Sequence, residues 1–293
     1  MNNKLWRISQ IICVALLIFC VFGFFGCNQN GQPGDSLGSD GTVGTVDDVT
    51  VADASLFADL SKLQREGAIA FAFSDHSIAA SQTADGYEIA GTELKITSSG
   101  TYILSGTCAD GSVTVAKETV DVFLIFNGLT LSSSKGPALT CNKASSVCVY
   151  LEQGSENFLS DPSASHEEGA ALKFKSGSAL VLAGEGSLWV NGNFENGIEG
   201  GAGSILRVAG GNLSVNAQKN AVTCHHSVEV NNGVLTLSAQ NDALKASPSD
   251  SDTESSGNIT INGGTVTVSA VGDGISADGL LSIFGGTVVV TTT

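Results

Sequence analysis

The chain has 293 residues, of which 29 are Asp or Glu and only 13 are Lys or Arg, so its formal net charge is −16. A negative electrostatic field repels nucleic acid, so nucleic acid is excluded as a partner. The same negative charge favours solubility or cation binding. The 36 glycines and only 4 prolines are typical of many tight turns between short strands.

A basic and then apolar segment opens the sequence. Lys4 and Arg7 precede an apolar run over residues 11–25, and Gly26-Cys27 follows. This order predicts a signal peptide over residues 1–26, and its end is similar to the cleavage site of bacterial lipoproteins. We therefore expect Cys27 to carry a lipid that anchors the chain to the outer face of the bacterial cell membrane. A cleaved signal without a lipid and an uncleaved membrane anchor are the alternatives.

Two segments precede the body of the protein. Residues 27–50 are rich in Gly, Ser, Asp and Asn, which predicts a flexible tether. Residues 51–84 are predicted to cap the domain, because Asp53 and Ser55 are helix-start residues followed by leucines at helical spacing. We expect a short helix over 56–65 that covers the open N-terminal end of a stack.

A repeat dominates residues 85–293. Its unit is an alternating strand, a Gly-Gly or Asn-Gly turn, a second alternating strand, a polar corner and a short apolar third strand. The turn glycines Gly211 and Gly233 are 22 residues apart, and so are Gly264 and Gly286. A fixed period of this size means one unit stacked on copies of itself. We predict an all-β, right-handed, single-stranded parallel β-helix of about seven rungs with three strands each.

The third strand sets the register of the predicted rungs, and polar insertions at 160–168 and 247–257 lengthen two of them. The chain stops at Thr293, after the second strand of a rung, which predicts either a fragment or a partner copy at that end. The central residues of the third strand are predicted to be Leu139, Leu172, Ile198, Val222, Leu244 and Ile275.

Four cysteines fall within the repeat region, and their spacing matches no metal-binding pattern. Cys141 and Cys224 are predicted to share an inward column three rungs apart. Because rungs stack about 4.8 Å apart, that separation is too long for a disulfide. We expect these cysteines to be small buried hydrophobic residues.

Alternation along the second strand separates inward from outward side chains. Thr267 points outward between two inward valines, and the same column places Phe158 and Trp189 outward on adjacent rungs. Two such rings are predicted to form a flat apolar platform on which the C–H faces of sugars stack. The alternative is that the insertion at 160–168 folds over both rings.

The polar corner before the third strand predicts either of two structures. Stacked amides in a solenoid bond from rung to rung, which is a purely structural role. Carboxylates with nearby amide oxygens instead form the oxygen cage that Ca²⁺ prefers. The predicted calcium ligands are Asn196, Asn220, Asn241, Asp242 and Asp273.

Several phrases together resemble one known family, the calcium-binding, carbohydrate-binding β-helix family of surface-exposed bacterial proteins. The resemblance extends from about Phe71 to Thr293. The phrases that carry it are GTYILSG at 100–106, DVFLIFNG at 121–128, GSEN at 154–157, INGGTVTV at 261–268 and GDGI at 272–275.

The resemblance implies a pectate-lyase-like fold that binds cellulose-like and acidic, pectin-type polysaccharides without cleaving them. It also implies that Asp-Gly-Ile corners supply calcium ligands. Asp273 keeps the full phrase, Asp242 keeps the acid without the glycine, and Asn196 and Asn220 replace the acid. The function that the resemblance predicts is therefore membrane-tethered, calcium-dependent, non-catalytic polysaccharide binding.

Two other functions remain open on the same fold. One is an enzyme, a polysaccharide lyase or a glycosidase. A lyase needs a basic residue near calcium to remove a proton next to a carboxylate, and Lys173, Lys219 and Lys245 are the candidates. Lys245 is also a predicted carbohydrate contact. A structural adhesin is the third possibility, and a flat, Thr-rich face without aromatic residues would favour it.

Overall fold

The structure is a computed structural model that describes residues 57–249 and 256–293. The predicted signal peptide, the lipidation candidate Cys27 and the tether at 27–50 lie outside these residues. So do residues 51–56 of the predicted capping segment. In the described ranges, no helix has the length and apolar character that crossing a membrane requires.

Short strands joined by tight turns make up most of the described chain. Its one stretch of helix within 57–249 and 256–293 is a single 3₁₀ turn at Leu60–Lys62. Runs of Val, Ile, Leu and Thr favour strands because their side chains fit a pleated, half-buried surface. The strands are β1 Ile69–Phe73, β2 Ile78–Ala80, β3 Tyr87–Ala90, β4 Glu93–Ile96, β5 Gly100–Cys108, β6 Ser112–Val115, β7 Val122–Ser132, β8 Leu139–Cys141, β9 Ser146–Leu151, β10 Glu156–Ser160, β11 Ala170–Phe174, β12 Ala179–Gly184, β13 Ser187–Gly192, β14 Asn196–Gly200, β15 Ile205–Val208, β16 Asn212–Ala217, β17 Val222–Cys224, β18 Ser227–Val230, β19 Val234–Ala239, β20 Leu244–Ala246, β21 Asn258–Ile261, β22 Thr265–Ala270, β23 Ile275–Ala277, β24 Leu281–Ile283 and β25 Thr287–Thr292.

The strands stack in three parallel columns, which confirms the predicted all-β solenoid. The first column runs through the first halves of β5 and β7, then β9, β12, β15, β18, β21 and β24. The second runs through the second halves of β5 and β7, then β10, β13, β16, β19, β22 and β25. The third contains β4, β6, β8, β11, β14, β17, β20 and β23.

The interior is built from the inward residues of all three columns. The predicted centres of the third strand, from Leu139 to Ile275, are consecutive register partners. On β22, Val266 and Val268 are buried and Thr267 between them is exposed, as the alternation predicts. The register that places the functional side chains is therefore the one expected from the sequence.

The cysteines of the described residues are free and buried. Cys141 pairs with Phe174, Phe174 with Gly200, and Gly200 with Cys224, so the two cysteines lie three rungs apart in one column. Burial raises the pKa of Cys141 to about 12. Such a thiol stays protonated and packs as a small hydrophobic group.

The predicted capping helix over 56–65 is wrong across its described part. Only the single 3₁₀ turn forms, with Asp59 as its N-cap. Phe57 and Ala58 instead pack on the outward side of the first column, in a cluster with Phe123 and Val181. A peptide this short is a marginal helix in water, and the apolar outer side of the first column offers its side chains better burial.

Antiparallel hairpins, rather than a helix, lie at the N-terminal edge of the sheets. Strand β2 pairs with β1, and β3 pairs with β4. Phe71 of β1 is fully buried there, with its ring centroid 4.8 Å from that of Tyr87 and 6.2 Å from that of Tyr102.

The close approach of rungs at Gly184 gives a prediction about stability. Gly184 has a φ of +101°, and a Cβ there would overlap the carbonyl oxygen of Leu151 on the neighbouring rung. We expect Gly184→Ala to lower the free energy of unfolding by about 3 kcal/mol, since left-handed backbone strain and a steric clash add together. Urea denaturation measures this.

Gly154→Ala is the matched control. Gly154 has a φ of +73°, and no neighbouring atom lies within 4 Å of a Cβ added there, so its substitution should cost only about 1 kcal/mol of backbone strain. Equal losses for the two variants would contradict the close contact between the rungs at Gly184.

Candidate functional site

The outward side of the second column carries Phe158 and Trp189 on adjacent rungs. Their register runs from Thr130 through Phe158, Trp189 and Ser214 to Thr236. Leu188 and Val190, the neighbours of Trp189 along β13, are buried, so the indole must point outward. We call the outward side of β10, β13, β16, β19 and β22 the aromatic face.

The two rings stack on each other. Their centroids are 4.7 Å apart and their planes differ by 11°. At this separation the rings overlap, so each has one face against the other and one face left for a ligand. The two outward rings on adjacent rungs, predicted to form a flat apolar platform, therefore stack face to face and leave one free face each. The remaining face of Trp189 lies on the side of its other register partner, Ser214.

Polar side chains border the rings on both sides. Two residues after the ring positions, the outward row contains Ser160, Asn191 and Asn216, and two residues before them it contains Glu156, Ser187 and Asn212. The outward positions of β10, β13, β16, β19 and β22 include no Lys or Arg, and Glu156 is their single charged residue. The aromatic face can therefore offer ring stacking and neutral hydrogen bonds.

The insertion at 160–168 does not bury Phe158. Its Asp161 accepts a hydrogen bond from the backbone N–H of Asn193 at 2.6 Å, and the Nε2 atom of His166 lies 2.8 Å from the other Asp161 oxygen. The ring of His166 lies beside Phe194, with centroids 5.4 Å apart. These contacts hold the insertion at the corner, and Phe158 remains 37% exposed.

The polar corner before the third strand forms a hydrogen-bonded ladder. The side-chain oxygen of Asn196 accepts from the backbone N–H of Asn220 at 3.1 Å, and Asn220 accepts from the backbone N–H of Asp242 at 3.1 Å. Asp242 in turn accepts from the backbone N–H of Asp273 at 2.9 Å. We call Asn196, Asn220, Asp242 and Asp273 the corner ladder. Its oxygens perform the structural role of linking rungs.

The remaining oxygen of Asp242 faces a cation from the chain itself. The ammonium of Lys245 lies 2.8 Å from Asp242 Oδ2. Burial alone would raise the pKa of Asp242, but the hydrogen bonds from Lys245 and from the Asp273 N–H outweigh it, and the pKa is lowered. This pairing therefore stabilises the fold at neutral pH, and the contribution is lost as the pH falls through the lowered pKa.

The predicted calcium ligands come together, but their contacts do not fit Ca²⁺. Both oxygens of Asp242 are occupied, and the amide of Asn241 donates to Asn220 at 2.9 Å. Calcium needs six to eight oxygen ligands without a competing ammonium. Across residues 57–249 and 256–293, no three His, Cys, Asp or Glu side chains form a group suited to a metal.

The lysine candidates lie away from the aromatic face and are paired with carboxylates. Lys245 belongs to the third column, so the structure does not bring it together with Phe158 and Trp189. Lys219 lies 3.2 Å from Glu195, and Lys173 pairs with Glu199. The hydrogen bond to Asp242 raises the pKa of Lys245, which keeps its amine protonated.

The polar rows beside the rings were not predicted from the sequence. Asn191 and Asn216 are exposed and in register, two residues after Trp189 and Ser214. The period-2 alternation that predicts an outward Trp189 also predicts outward side chains two residues later, so it could have identified both asparagines. The buried Asp161–His166 pair was also missed, because an insertion has no periodicity to align.

Comparisons with known proteins are consistent with this fold. A family model described as carbohydrate-binding domain-containing protein matches residues 90–293. A carbohydrate-binding domain-containing protein of Acetivibrio thermocellus is 31% identical over 142 residues, which are 45% of this chain and 48% of that protein. The match thus spans about half the length of that relative.

A solved structure is also similar. It is that of a polysaccharide lyase-like protein from C. thermocellum, as a gadolinium derivative, with a TM-score of 0.64 and 25% sequence identity. The similarity covers 77% of this chain and 97% of that one.

The corner ladder gives a prediction about stability. Asn220→Ala removes the acceptor of the buried Asp242 N–H, and we expect the free energy of unfolding to fall by about 1–3 kcal/mol. Asn220→Asp keeps an acceptor oxygen and should lose less. Asn216→Ala, on the exposed aromatic face, should stay within about 0.5 kcal/mol of wild type. A similar loss for Asn216→Ala and Asn220→Ala in urea denaturation would contradict the ladder.

Proposed function

The chain belongs to the family of carbohydrate-binding domain-containing proteins, and on that premise we propose that its aromatic face binds polysaccharide without cleaving it. The observation that carries this proposal is the stacked ring pair, in which Phe158 is exposed and Trp189 is half-buried with one indole face beside small residues. C–H groups of a pyranose ring pack well against such a face. The adjacent hydroxyl and amide groups can then orient the sugar by hydrogen bonds.

The geometry favours an extended polymer that lies along the axis of the β-helix. The ring row continues beyond Trp189 through Ser214, Thr236 and Thr267, one residue per rung. The hydroxyl groups of these three residues recur at the rung spacing of about 4.8 Å. A chain of sugars that follows this row meets similar hydrogen-bonding groups at each rung, whereas a chain across the strands meets only one or two rungs.

The charge of the aromatic face favours a neutral, cellulose-like polymer over an acidic, pectin-type one. Glu156 is the single charged group among the outward positions of its five strands, and its charge would repel uronates. An acidic polymer needs a cation to bridge its carboxylates to a surface of this sign. We therefore propose the neutral polymer as the ligand of this face.

The state of the lysines supports binding rather than lyase catalysis. A lysine that removes a proton must be neutral near its working pH, and enzymes achieve this by lowering its pKa. Asp242 has the opposite effect on Lys245, and carboxylates also pair with Lys173 and Lys219. Lys245 is therefore not poised to act as a base.

Calcium dependence, which the family resemblance implies, stays a prediction. The occupied oxygens of Asp242 argue against that residue as the ligand in this chain. Calcium would matter most for an acidic polymer, where it could bridge carboxylates.

We also propose that the chain is exported and anchored by a lipid on Cys27. This proposal rests on the order of basic residues, apolar run and Gly26-Cys27 in the sequence. A lipid anchor with a flexible tether would hold the aromatic face outside the membrane, within reach of an external polymer.

Substitution of Trp189 tests the binding face. We expect Trp189→Ala to weaken binding to insoluble cellulose at least roughly tenfold, which corresponds to about 1.4 kcal/mol, because the free ring face is lost. Trp189→Phe should keep part of the affinity. Depletion of the protein from solution by increasing amounts of cellulose measures the dissociation constant.

Phe284→Ala is the control, since Phe284 is 77% exposed but lies outside the aromatic face. An equal loss for both variants, or none for Trp189→Ala, would refute the proposed face. The same assay with polygalacturonate, with calcium and then with chelator, tests the acidic ligand and the calcium requirement. Release of unsaturated products would show that the protein is a lyase.

Cys27→Ser tests the anchor. In a bacterial host we expect wild type in the membrane fraction and Cys27→Ser in the soluble extracytoplasmic fraction or as unprocessed precursor, because the variant has no thiol to acylate. Mass spectrometry of the N-terminal peptide identifies the lipid. A wild-type chain that is cut elsewhere and carries no lipid would contradict the proposal.

A further inference from the structure

A lysine, a glutamate and an asparagine meet on the third column. The ammonium of Lys173 pairs with Oε1 of Glu199, and Nδ2 of Asn196 donates a hydrogen bond to Oε2 of the same carboxylate at 2.7 Å. Strands β11 and β14 pair so that Lys173 lies beside Glu199, and Asn196 is the first residue of β14. One carboxylate therefore bridges an amine on one rung and a carboxamide on the next.

The partners of the Asn196 carboxamide fix its orientation. Its Oδ1 accepts the backbone N–H of Asn220 at 3.1 Å, as part of the corner ladder, while its Nδ2 faces Glu199. A backbone N–H can only donate and an ionised carboxylate can only accept, so turning the amide over would lose both bonds. The Asn220 N–H also stabilises the negative charge that Oδ1 would gain if a nucleophile added to the Asn196 carbonyl carbon.

The three side chains are largely shielded from water. The side chains of Lys173 and Glu199 are 14% and 17% exposed, and Asn196 is 3% exposed. Removal from water penalises both charges of an ion pair, which lowers the cost of moving a proton from the ammonium to the carboxylate. The flexible stem of a lysine can then carry its neutral amine, a nucleophile, onto the neighbouring acyl carbon.

We propose that Lys173 and Asn196 join in an intramolecular isopeptide bond, with Glu199 as the catalytic residue that moves the protons. Glu199 takes one proton from the Lys173 ammonium, and the neutral Nζ adds to Cγ of Asn196. Glu199 then gives that proton to Nδ2 and takes a second one from Nζ. The Cγ–Nδ2 bond breaks, its electron pair leaves with ammonia, and ammonia takes the second proton. The products are a secondary amide and an ammonium ion, so no oxidant or cofactor is consumed.

The bond would leave the surrounding structure intact. Oδ1 of Asn196 stays a carbonyl oxygen, so it still accepts the N–H of Asn220. The four described cysteines are free, and an isopeptide bond would link β11 to β14 and constrain the unfolded chain as a disulfide does. The reaction occurs once per chain, so a slow step is sufficient. This inference goes beyond the polysaccharide proposal and does not depend on it.

Peptide mapping of the wild-type full chain, denatured and digested with trypsin, tests the inference by mass spectrometry. Trypsin cuts after unmodified Lys and Arg, so an unlinked chain gives residues 144–173 and 176–207 as separate peptides. The proposed bond blocks cleavage after Lys173. We therefore expect residues 144–175 joined to 176–207, with the summed mass of the two peptides less one ammonia. Fragmentation should locate the link between Lys173 and Asn196.

Two variants separate the roles of the nucleophile and the carboxylate. Lys173→Arg keeps the positive charge but replaces the amine by a guanidinium that stays protonated, and Glu199→Gln keeps the shape but cannot take up a proton. Each should give the two peptides unlinked and at their full mass. Lys219→Arg is the matched control, because Lys219 also pairs with a carboxylate, that of Glu195 at 3.2 Å, and its variant should keep the link.

Separate, unlinked peptides from the wild-type chain would overturn the proposal, and this test needs no variant to fold. Loss of ammonia confined to the peptide 176–207 would also overturn it. That result would mean that the backbone N–H of Gly197, rather than the amine of Lys173, attacked Asn196. A link that persists in Glu199→Gln would contradict the catalytic role of the carboxylate.

Discussion

The register between successive rungs is the constraint on which the rest of the structure depends. Parallel pairing in three columns keeps each residue beside its counterpart one rung away, so the inward or outward direction of one strand is repeated by the next. A slip of one residue would bury Trp189 and expose Leu188 and Val190. Burial of the aliphatic interior therefore fixes where the aromatic face lies, although no interior residue belongs to that face.

One coil presents three outer sides with different chemistry. The outward side of the first column is apolar where Phe57 and Ala58 cover it. The outward side of the third carries Lys173 and Lys245 in pairs with carboxylates. The aromatic face is nearly uncharged. Its rings and hydrogen-bonding groups are not engaged in ion pairs like those of the third column. This difference, rather than the fold, argues for a sugar-binding role, since a fold alone hosts many functions.

The structural features that depend on the periodicity of the sequence could be predicted from it. Strand columns, the register of Leu139 through Ile275 and the outward direction of Trp189 all follow from alternation. The stacking of Phe158 on Trp189 could not be predicted, because alternation fixes the Cα–Cβ direction and leaves the side-chain torsions open. The segment over 57–65 was predicted incorrectly because its helical spacing competes with burial on a neighbouring apolar surface, which is a tertiary effect.

The corner ladder shows why a stacked acidic position is weak evidence for a metal. An oxygen that accepts the backbone N–H of the next rung is already used, and withdrawing it would leave a buried donor without a partner. The Asp242 carboxylate has one oxygen beyond that requirement, and Lys245 takes it.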